Sequence, residues 1–241
     1  MKQNKYDNSI FFEKYSKFPR SAEGLEAAGE WHELQRMLPD FAGKRVLDLG
    51  CGFGWHSRYA ARQGAVSVVG VDISRKMLAE AAQKTDDKNI EYICSSIEDY
   101  EYPAEAFDVV ISSLALHYVE AFDDVCAKVH RCLADSGEFV FSVEHPIFTA
   151  QGRQEWVLDD AGEPMHWPVD DYFHEGIRST RFLGEDVLKY HKTLTTYAGG
   201  LIKHGFAITE LCEPIPPQEM LLDMPNELRR PMMLIISAEK A

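Results

Sequence analysis

Short apolar runs alternate with helical patterns through the middle of the chain, and this alternation leaves few possible folds. The apolar runs have strand length and occupy residues 45–49, 66–71, 90–94, 107–112 and 138–143. Helical patterns lie between several of these runs, at residues 54–63, 75–84 and 123–133. Strands that alternate with helices form parallel sheets whose two faces are covered. The middle of the chain therefore predicts a three-layer α/β sandwich.

The last part of the chain has a different pattern. A helical pattern covers residues 188–204 and ends at Gly205, and apolar runs follow at 206–211 and 232–238. A Pro-rich segment without a full helix joins these two runs, so we expect them to pair antiparallel. The sequence thus predicts one mostly parallel, seven-stranded sheet with an antiparallel last strand.

Two segments fall outside the alternation. Residues 1–40, with a predicted helix at 22–38, are interpreted as an N-terminal helical cap. Residues 146–185 are rich in Trp, Pro, Asp and Gly and are too long for an ordinary connection, so we interpret them as an inserted substrate lid. Both are expected at the carboxyl edge of the sheet, where open α/β sheets bind ligands. With 241 residues, the chain is interpreted as a single domain.

A glycine-rich turn follows the first predicted strand. Gly50, Gly52 and Gly54 stand at alternate positions, and a helix begins directly after them. Glycine permits a sharp turn and lets a ligand approach the backbone closely. Asp72 ends the second strand, 22 residues after Gly50, where its carboxylate can accept hydrogen bonds from both hydroxyls of a ribose. The turn and Asp72 together predict a site for a ligand that contains a nucleoside.

Spacing and a second acidic residue separate this turn from a dinucleotide-binding one. The glycines follow the pattern G-x-G-x-G, whereas dinucleotide-binding turns have G-x-G-x-x-G. Asp48 lies two residues before Gly50. Its carboxylate would repel a pyrophosphate but suits a ligand with an ammonium or sulfonium charge. The alternative is that Asp48 and Asp72 are ordinary surface acids at strand ends.

These residues lie in motifs that resemble those of class I S-adenosylmethionine-dependent methyltransferases. The motifs are VLDLGCGFG (46–54), VDIS (71–74), SSIEDY (95–100) and FDVVISSLALHYV (107–119). The resemblance covers residues 43–145 and implies a Rossmann-like sandwich with S-adenosylmethionine as the cofactor. Outside this core, residues 15–31, 142–147 and 190–206 are similar to an uncharacterised bacterial subgroup of the small-molecule branch, methyltransferase type 11.

The resemblance also implies which residues bind the cofactor. Asp72 would bind the ribose. Four residues would surround the adenine, namely Ile73, Met77, Ser96 and Ile97. The methionine part would meet the glycine turn and the end of the fourth strand, that is Asp48, Gly50, Cys51, Gly52, Ser113 and Leu114.

Segments outside the core contribute further candidates. Tyr15, Arg20 and Trp31 are candidates to close over the cofactor, with the Arg20 guanidinium paired to its carboxylate. The alternative is that this region only packs a helix on the sheet. Four aromatic residues are candidates for an apolar wall around the acceptor, or for a small core of their own segment: Trp156, Trp167, Tyr172 and Phe173.

Methyl transfer from a sulfonium is an in-line displacement with an activated leaving group, so alignment is the main requirement. A base is needed only when the nucleophile must lose a proton. His117 and His145 follow the fourth and fifth strands and are the candidate general bases, because histidine titrates near neutral pH. His166 and His191 are weaker candidates. Each of these histidines has the alternative of a hydrogen-bonded structural role.

The net charge and the residues after the fourth strand restrict the class of acceptor molecule. The chain has 25 Lys and Arg against 39 Asp and Glu, a net charge of −14, which disfavours nucleic acid. Residues 112–115 read SSLA, whereas enzymes of this family that methylate exocyclic amines of bases or glutamine usually carry an Asn/Asp-Pro-Pro-aromatic motif there. A small organic acceptor, methylated at O, N, S or C, is therefore expected.

Other features of the sequence set the remaining expectations. Five cysteines without a CxxC pair predict no metal site, and no apolar stretch has the length of a membrane span or of a signal peptide. We expect a cytoplasmic monomer or homodimer without membrane partners. Two rival functions stay open at this point, a nicotinamide-dependent oxidoreductase on a Rossmann fold and a non-catalytic cofactor-binding module.

Overall fold

The structure is a computed structural model that describes residues 3–241. Within this range the chain forms eleven strands: β1 (Arg45–Leu49), β2 (Ser67–Asp72), β3 (Ile90–Cys94), β4 (Phe107–Ser113), β5 (Leu133–Glu144), β6 (Val157–Leu158), β7 (Pro164–His166), β8 (Gly176–Phe182), β9 (Glu185–His191), β10 (Phe206–Cys212) and β11 (Met233–Lys240). Seven of them form one sheet in the order β10-β11-β5-β4-β1-β2-β3, while β6–β7 and β8–β9 are separate hairpins.

The direction of each strand in the large sheet follows from its connection. β1 to β5 run parallel, and a helix in the connections from β1 to β2, β2 to β3 and β4 to β5 returns the chain to the same edge of the sheet, whereas residues 95–106 connect β3 to β4 without a helix. β11 pairs antiparallel with both β5 and β10. The predicted Rossmann-like, mostly parallel seven-stranded sheet with an antiparallel last strand is confirmed.

Nine helices lie within the described range: α1 (Ser9–Ser16), α2 (Pro19–Ala22), α3 (Trp31–Met37), α4 (Trp55–Arg62), α5 (Arg75–Gln83), α6 (Phe122–Cys132), α7 (Pro146–Ala150), α8 (Leu194–Lys203) and α9 (Gln218–Leu221). Residues of α6 and α8 cover one face of the sheet and residues of α3 and α4 the other, because successive strand residues point to opposite faces. Leu47 of β1 is buried in a cluster with Val125 of α6 and Leu201 of α8. Its neighbour Val46 is buried in a second cluster with Ala60 of α4.

The predicted helix at residues 188–204 is wrong in its first third. Residues up to His191 belong to β9, whose side chains alternate between buried and partly exposed and whose backbone pairs with β8 along its length. The helix α8 begins only at Leu194. Thr193 starts it, because its hydroxyl accepts a hydrogen bond from the Thr196 backbone N–H at 3.1 Å.

The predicted helix at residues 22–38 is broken into three parts. α2 ends at Ala22, a 3₁₀ turn covers Leu25–Ala27, and α3 begins at Trp31. Gly24 has φ +89°, a left-handed conformation that a continuous helix excludes. The segment therefore bends across the sheet edge in short pieces.

The two segments outside the alternation have structure of their own. The residues after β5 form α7, the β6–β7 hairpin and the β8–β9 hairpin, which continues beyond the predicted end at residue 185. The N-terminal residues from 3 onward form α1 to α3. The assignment of these segments as a cap and a lid of a single domain stays a prediction. None of the helices within residues 3–241 has the length and apolar character needed to cross a membrane.

Candidate active site

A cavity of about 400 Å³ lies where β1, β2 and β4 end. The N-terminal segment and β9 supply the rest of its lining. The volume falls within the usual range for small-molecule and cofactor pockets. Most of the residues predicted to bind the cofactor line it: Tyr15, Arg20, Gly50, Cys51, Gly52, Asp72, Ile73, Met77, Ser96, Ile97, Ser113 and Leu114.

The glycine turn is tightly packed on one side and open on the other. The backbone N–H groups of Gly50 and Cys51 both donate to the Val71 carbonyl, at 2.8 and 3.0 Å, which fastens the turn to β2. Gly50 has φ +75°, and a Cβ there would lie 2.3 Å from Cβ of Ala115. Gly52 has φ +53°, but a Cβ there would have no atom within 4 Å. The backbone at Gly52 therefore faces open space, where a ligand can approach it closely.

Asp72 is held against the same turn. Its two carboxylate oxygens accept from the backbone N–H groups of Gly52 at 2.9 Å and Ser74 at 2.8 Å. A carboxylate has about four acceptor positions, so each oxygen keeps room for one further hydrogen bond. Burial raises the pKa of Asp72 to about 6, although both backbone hydrogen bonds favour the ionised form. Asp72 is thus an oriented acceptor that is ionised at neutral pH.

Asp48 is placed differently from the other predicted cofactor residues. Its side chain is buried and accepts a hydrogen bond of 2.6 Å from the Ser57 hydroxyl, and it does not line the cavity. Burial raises the pKa of Asp48 to about 7, against the effect of this hydrogen bond. Asp48 is therefore bonded to the first turn of α4, and any charge contact with a ligand stays a prediction.

Arg20 reaches the cavity from α2 with an ionic partner. Its guanidinium pairs with Glu30, whose side chain is 1% exposed, whereas Arg20 itself is 20% exposed. The ion pair restrains the guanidinium where it lines the cavity, and its contact with the cofactor carboxylate stays a prediction. Trp31, which was proposed with Arg20 and Tyr15, is buried, donates to Glu26 at 3.2 Å and does not line the cavity.

The two candidate general bases lie outside the cavity. His117 is buried, and its Nδ1 accepts from the Glu144 backbone N–H at 3.3 Å. Burial lowers the pKa of His117 to about 3, so the ring is neutral and a weak base. His145 is also buried, and its Nδ1 accepts from the Ile147 backbone N–H as the cap of α7. This geometry favours the structural alternative for both residues.

The weaker histidine candidates and the aromatic residues of the insert also lie elsewhere. His191 is buried and bonded to Thr149, and His166 is exposed on β7. Trp167 stacks on Phe148 and contacts Trp156 edge-on, and the Arg230 guanidinium lies 4.5 Å from the Trp167 ring. The insert aromatics, Trp156, Trp167, Tyr172 and Phe173, do not line the cavity. The expected apolar wall for the acceptor is therefore not formed by these four residues.

Other residues, which the sequence did not single out, line the cavity instead: Tyr6, Trp55, His56, Tyr118, Val187, Leu188 and Tyr190. Tyr118 falls inside the motif at residues 107–119, so position in the motif was a usable signal. Tyr6 and the β9 residues carry no such signal, because only folding brings them to the strand ends.

Comparisons with known proteins agree with this geometry. Residues 47–141 match the family model described as a methyltransferase domain, Methyltransf_11. A solved structure from Listeria monocytogenes, described as a candidate S-adenosylmethionine-dependent methyltransferase, is 57% identical and covers 90% of this chain and 99% of that chain, with a TM-score of 0.87. The chain belongs to the S-adenosylmethionine-dependent methyltransferases, type 11 branch. The cofactor of this methyltransferase is S-adenosylmethionine.

Two further similarities extend over nearly the whole methyltransferase. The structure of an S-adenosylmethionine-dependent methyltransferase from Mesorhizobium loti is 43% identical and covers 90% of this chain and all of that chain, with a TM-score of 0.83. An uncharacterized protein of Haemophilus influenzae is 34% identical over 251 residues, 98% of this chain and 96% of its own length. Relatives that match about half of the chain include a tRNA U34 carboxymethyltransferase and a malonyl-[acyl-carrier protein] O-methyltransferase. Sequence similarity therefore does not identify the acceptor molecule.

The residues present fit this cofactor. The open side of Gly52 gives space for the ligand beside the backbone, and Asp72 offers oriented acceptors for ribose hydroxyls. Arg20 is a cation of the kind that pairs with the carboxylate of an amino acid. The contacts of individual residues with the cofactor stay predictions.

Proposed function

We propose that this methyltransferase transfers a methyl group from S-adenosylmethionine to a small organic acceptor bound in the same cavity. The enclosure of the cavity carries the proposal. Residues of the N-terminal segment and of β9 line it together with the strand ends, within about 400 Å³. A cavity of this size, shared with the cofactor, suits a small molecule better than a folded RNA or a protein surface.

Hydrogen bonds fasten the N-terminal segment on both sides of the cavity, which supports its role as a cap. Asp7 accepts from the Ser74 hydroxyl at 2.7 Å and from the Lys76 backbone N–H at 3.1 Å, at the start of α5. On the other side, the side-chain amide oxygen Oε1 of Gln3 accepts from the Leu188 backbone N–H of β9 at 2.8 Å. The segment therefore connects the α5 side of the cavity to the β8–β9 hairpin.

The proposed mechanism relies on alignment. The bound cofactor supplies an activated methyl group, and the protein has to hold the acceptor nucleophile in line with it. Asp72 and the glycine turn would orient the nucleoside and methionine parts, while the side chains of the cap and of β9 would position the acceptor. Of the described residues that line the cavity, His56 is the one histidine, and burial lowers its pKa to about 3. Proton removal by a histidine of the cavity is therefore not part of the proposal.

The distribution of transferred label tests the proposal. The protein is incubated with S-adenosylmethionine carrying a tritiated methyl group and with three fractions of a bacterial extract, which contain small metabolites, RNA and protein. We expect label in the small-metabolite fraction, and less of it with Asp72→Ala at the same subsaturating cofactor concentration. Label that accumulates in RNA or protein would overturn the small-molecule assignment but leave the methyltransferase activity in place.

A further inference from the structure

We propose that the acceptor is an amine, and that Tyr6, Tyr15 and Tyr118 surround its nitrogen as a box of aromatic rings. This inference rests on the proposed function, because it names the acceptor class of the same cavity. The three tyrosines come from distant parts of the chain, the N-terminal segment and the turn after β4, and all three line the cavity.

The three rings have the arrangement of an aromatic box. Tyr6 lies between the other two, with ring centroids 5.0 Å from Tyr15 and 6.3 Å from Tyr118. It is nearly perpendicular to both, at 84° and 90°. The hydroxyl groups of Tyr6 and Tyr118 are 3.3 Å apart and form a hydrogen bond. A cation that enters the cavity would meet three rings of different orientation, and a ring face attracts a cation that lies within about 6 Å of its centroid.

The chemical state of the tyrosines suits a cation. Burial raises the pKa of Tyr6 and of Tyr118 well above the ordinary value, and raises that of Tyr15 as well. The three phenols are therefore neutral at physiological pH. A neutral phenol attracts a cation through its ring face and accepts from an N–H through its oxygen.

The charges around the cavity disfavour an anionic acceptor. Among the described lining residues the cationic side chains are Lys5 and Arg20. Lys5 lies 3.7 Å from the carboxylate of Glu185, and Arg20, which pairs with Glu30, is already the predicted partner of the cofactor carboxylate. Three acidic residues also line the cavity: Asp72, Glu98 and Glu120. Neither lining cation is thus left for a carboxylate or phosphate acceptor, whereas an amine needs no cation to bind.

Methylation of an amine also fits the absence of a histidine base from the proposed mechanism. The nitrogen lone pair attacks the methyl carbon, a C–N bond forms, and the C–S bond breaks with its electron pair passing to sulfur. The positive charge thereby moves from sulfur to nitrogen, where the tyrosine rings face it. A primary or secondary amine then loses its N–H proton to water, and a tertiary amine has no proton to lose. An amine that enters protonated first gives a proton to water.

A pair of probes that differ only in charge tests the inference. Choline and its uncharged isostere 3,3-dimethylbutan-1-ol are titrated into the protein saturated with S-adenosylhomocysteine. We expect choline to bind about tenfold more tightly than the isostere, since the cation–π contribution is lost without the charge. Equal binding of the two probes, or binding of neither, would overturn the inference. Tighter binding of 3,3-dimethylbutanoate than of choline would also overturn it, in favour of an anionic acceptor.

Substitutions then locate the choline site. Tyr118→Phe keeps the ring and should keep the preference for choline, whereas Tyr118→Leu should abolish it. Tyr172→Leu is the control, because Tyr172 lies on the insert outside the cavity and should change nothing. S-adenosylhomocysteine affinity is measured first for each variant, so failure of the cofactor site is seen separately from failure of the amine site. A preference for choline that survives Tyr118→Leu would contradict the box.

Discussion

Asp72→Ala should weaken binding of S-adenosylhomocysteine by about 1–3 kcal/mol, because two ribose hydroxyls lose a charged acceptor. The structure supports this magnitude, since the carboxylate is oriented by backbone hydrogen bonds of 2.9 and 2.8 Å and needs no rearrangement to accept two more. The affinity is measured by calorimetry at pH 7.5, with circular dichroism to show that the fold is intact.

The same carboxylate predicts how binding depends on pH. The pKa of Asp72 is raised to about 6, and a ligand that bonds to the ionised form binds less well once the carboxyl is protonated. The affinity should therefore be constant above pH 7 and fall below pH 6, by up to about tenfold per pH unit. Asp72→Asn should remove this fall.

Asp48→Asn is the matched control, because Asp48 also has a raised pKa but does not line the cavity. Its variant should keep the fall in affinity below pH 6. Unchanged affinity in Asp72→Ala with an intact fold, or a pH profile that Asp72→Asn does not alter, would refute the ribose assignment.

Three further perturbations test other parts of the site. Gly52→Ala should weaken the binding of S-adenosylhomocysteine in calorimetry, because the new Cβ at φ +53° occupies the ligand's space. The backbone strain in the same variant should lower the free energy of unfolding in urea by roughly 1 kcal/mol, and the loss of binding free energy should be larger than this. Lys189→Met should lower the free energy of unfolding by about 3–5 kcal/mol in urea, because it leaves the carboxylate of Glu144 buried without its cation, and Glu144→Gln in the same chain should recover most of the loss. The free energy of unfolding should fall as the pH drops from about 6.5, because unfolding lets His117, whose pKa is about 3 in the fold, take up a proton. His117→Gln should make that fall shallower in a pH series of urea melts.

The parallel core was predictable because local patterns and global fold agree there. β1 and β3 begin and end where the apolar runs do, since buried strands between helices need continuous apolar residues and are bounded by turns. The position of the glycine turn beside Asp72 was equally predictable, because both follow directly after adjacent parallel strands.

The lining that the N-terminal segment and β9 give to the cavity was not predictable, because these residues come together only through tertiary contacts. The second half of β9 was predicted as the start of a helix, because a local sequence pattern does not show that this segment pairs with β8. Tyr6 and Tyr118 are 112 residues apart, and no spacing rule connects them. The histidines were singled out by residue type, but the fold uses His117 and His145 to accept backbone hydrogen bonds.

A titration of the purified protein with three ligands tests the central claim most directly. S-adenosylmethionine, S-adenosylhomocysteine and NAD⁺ are compared by calorimetry under one set of conditions. The account predicts saturable binding of the first two at one site per chain, and no binding of NAD⁺. Binding of NAD⁺ without binding of either sulfur-containing ligand would contradict the assignment of the cavity to methyl transfer. It would favour the oxidoreductase interpretation instead.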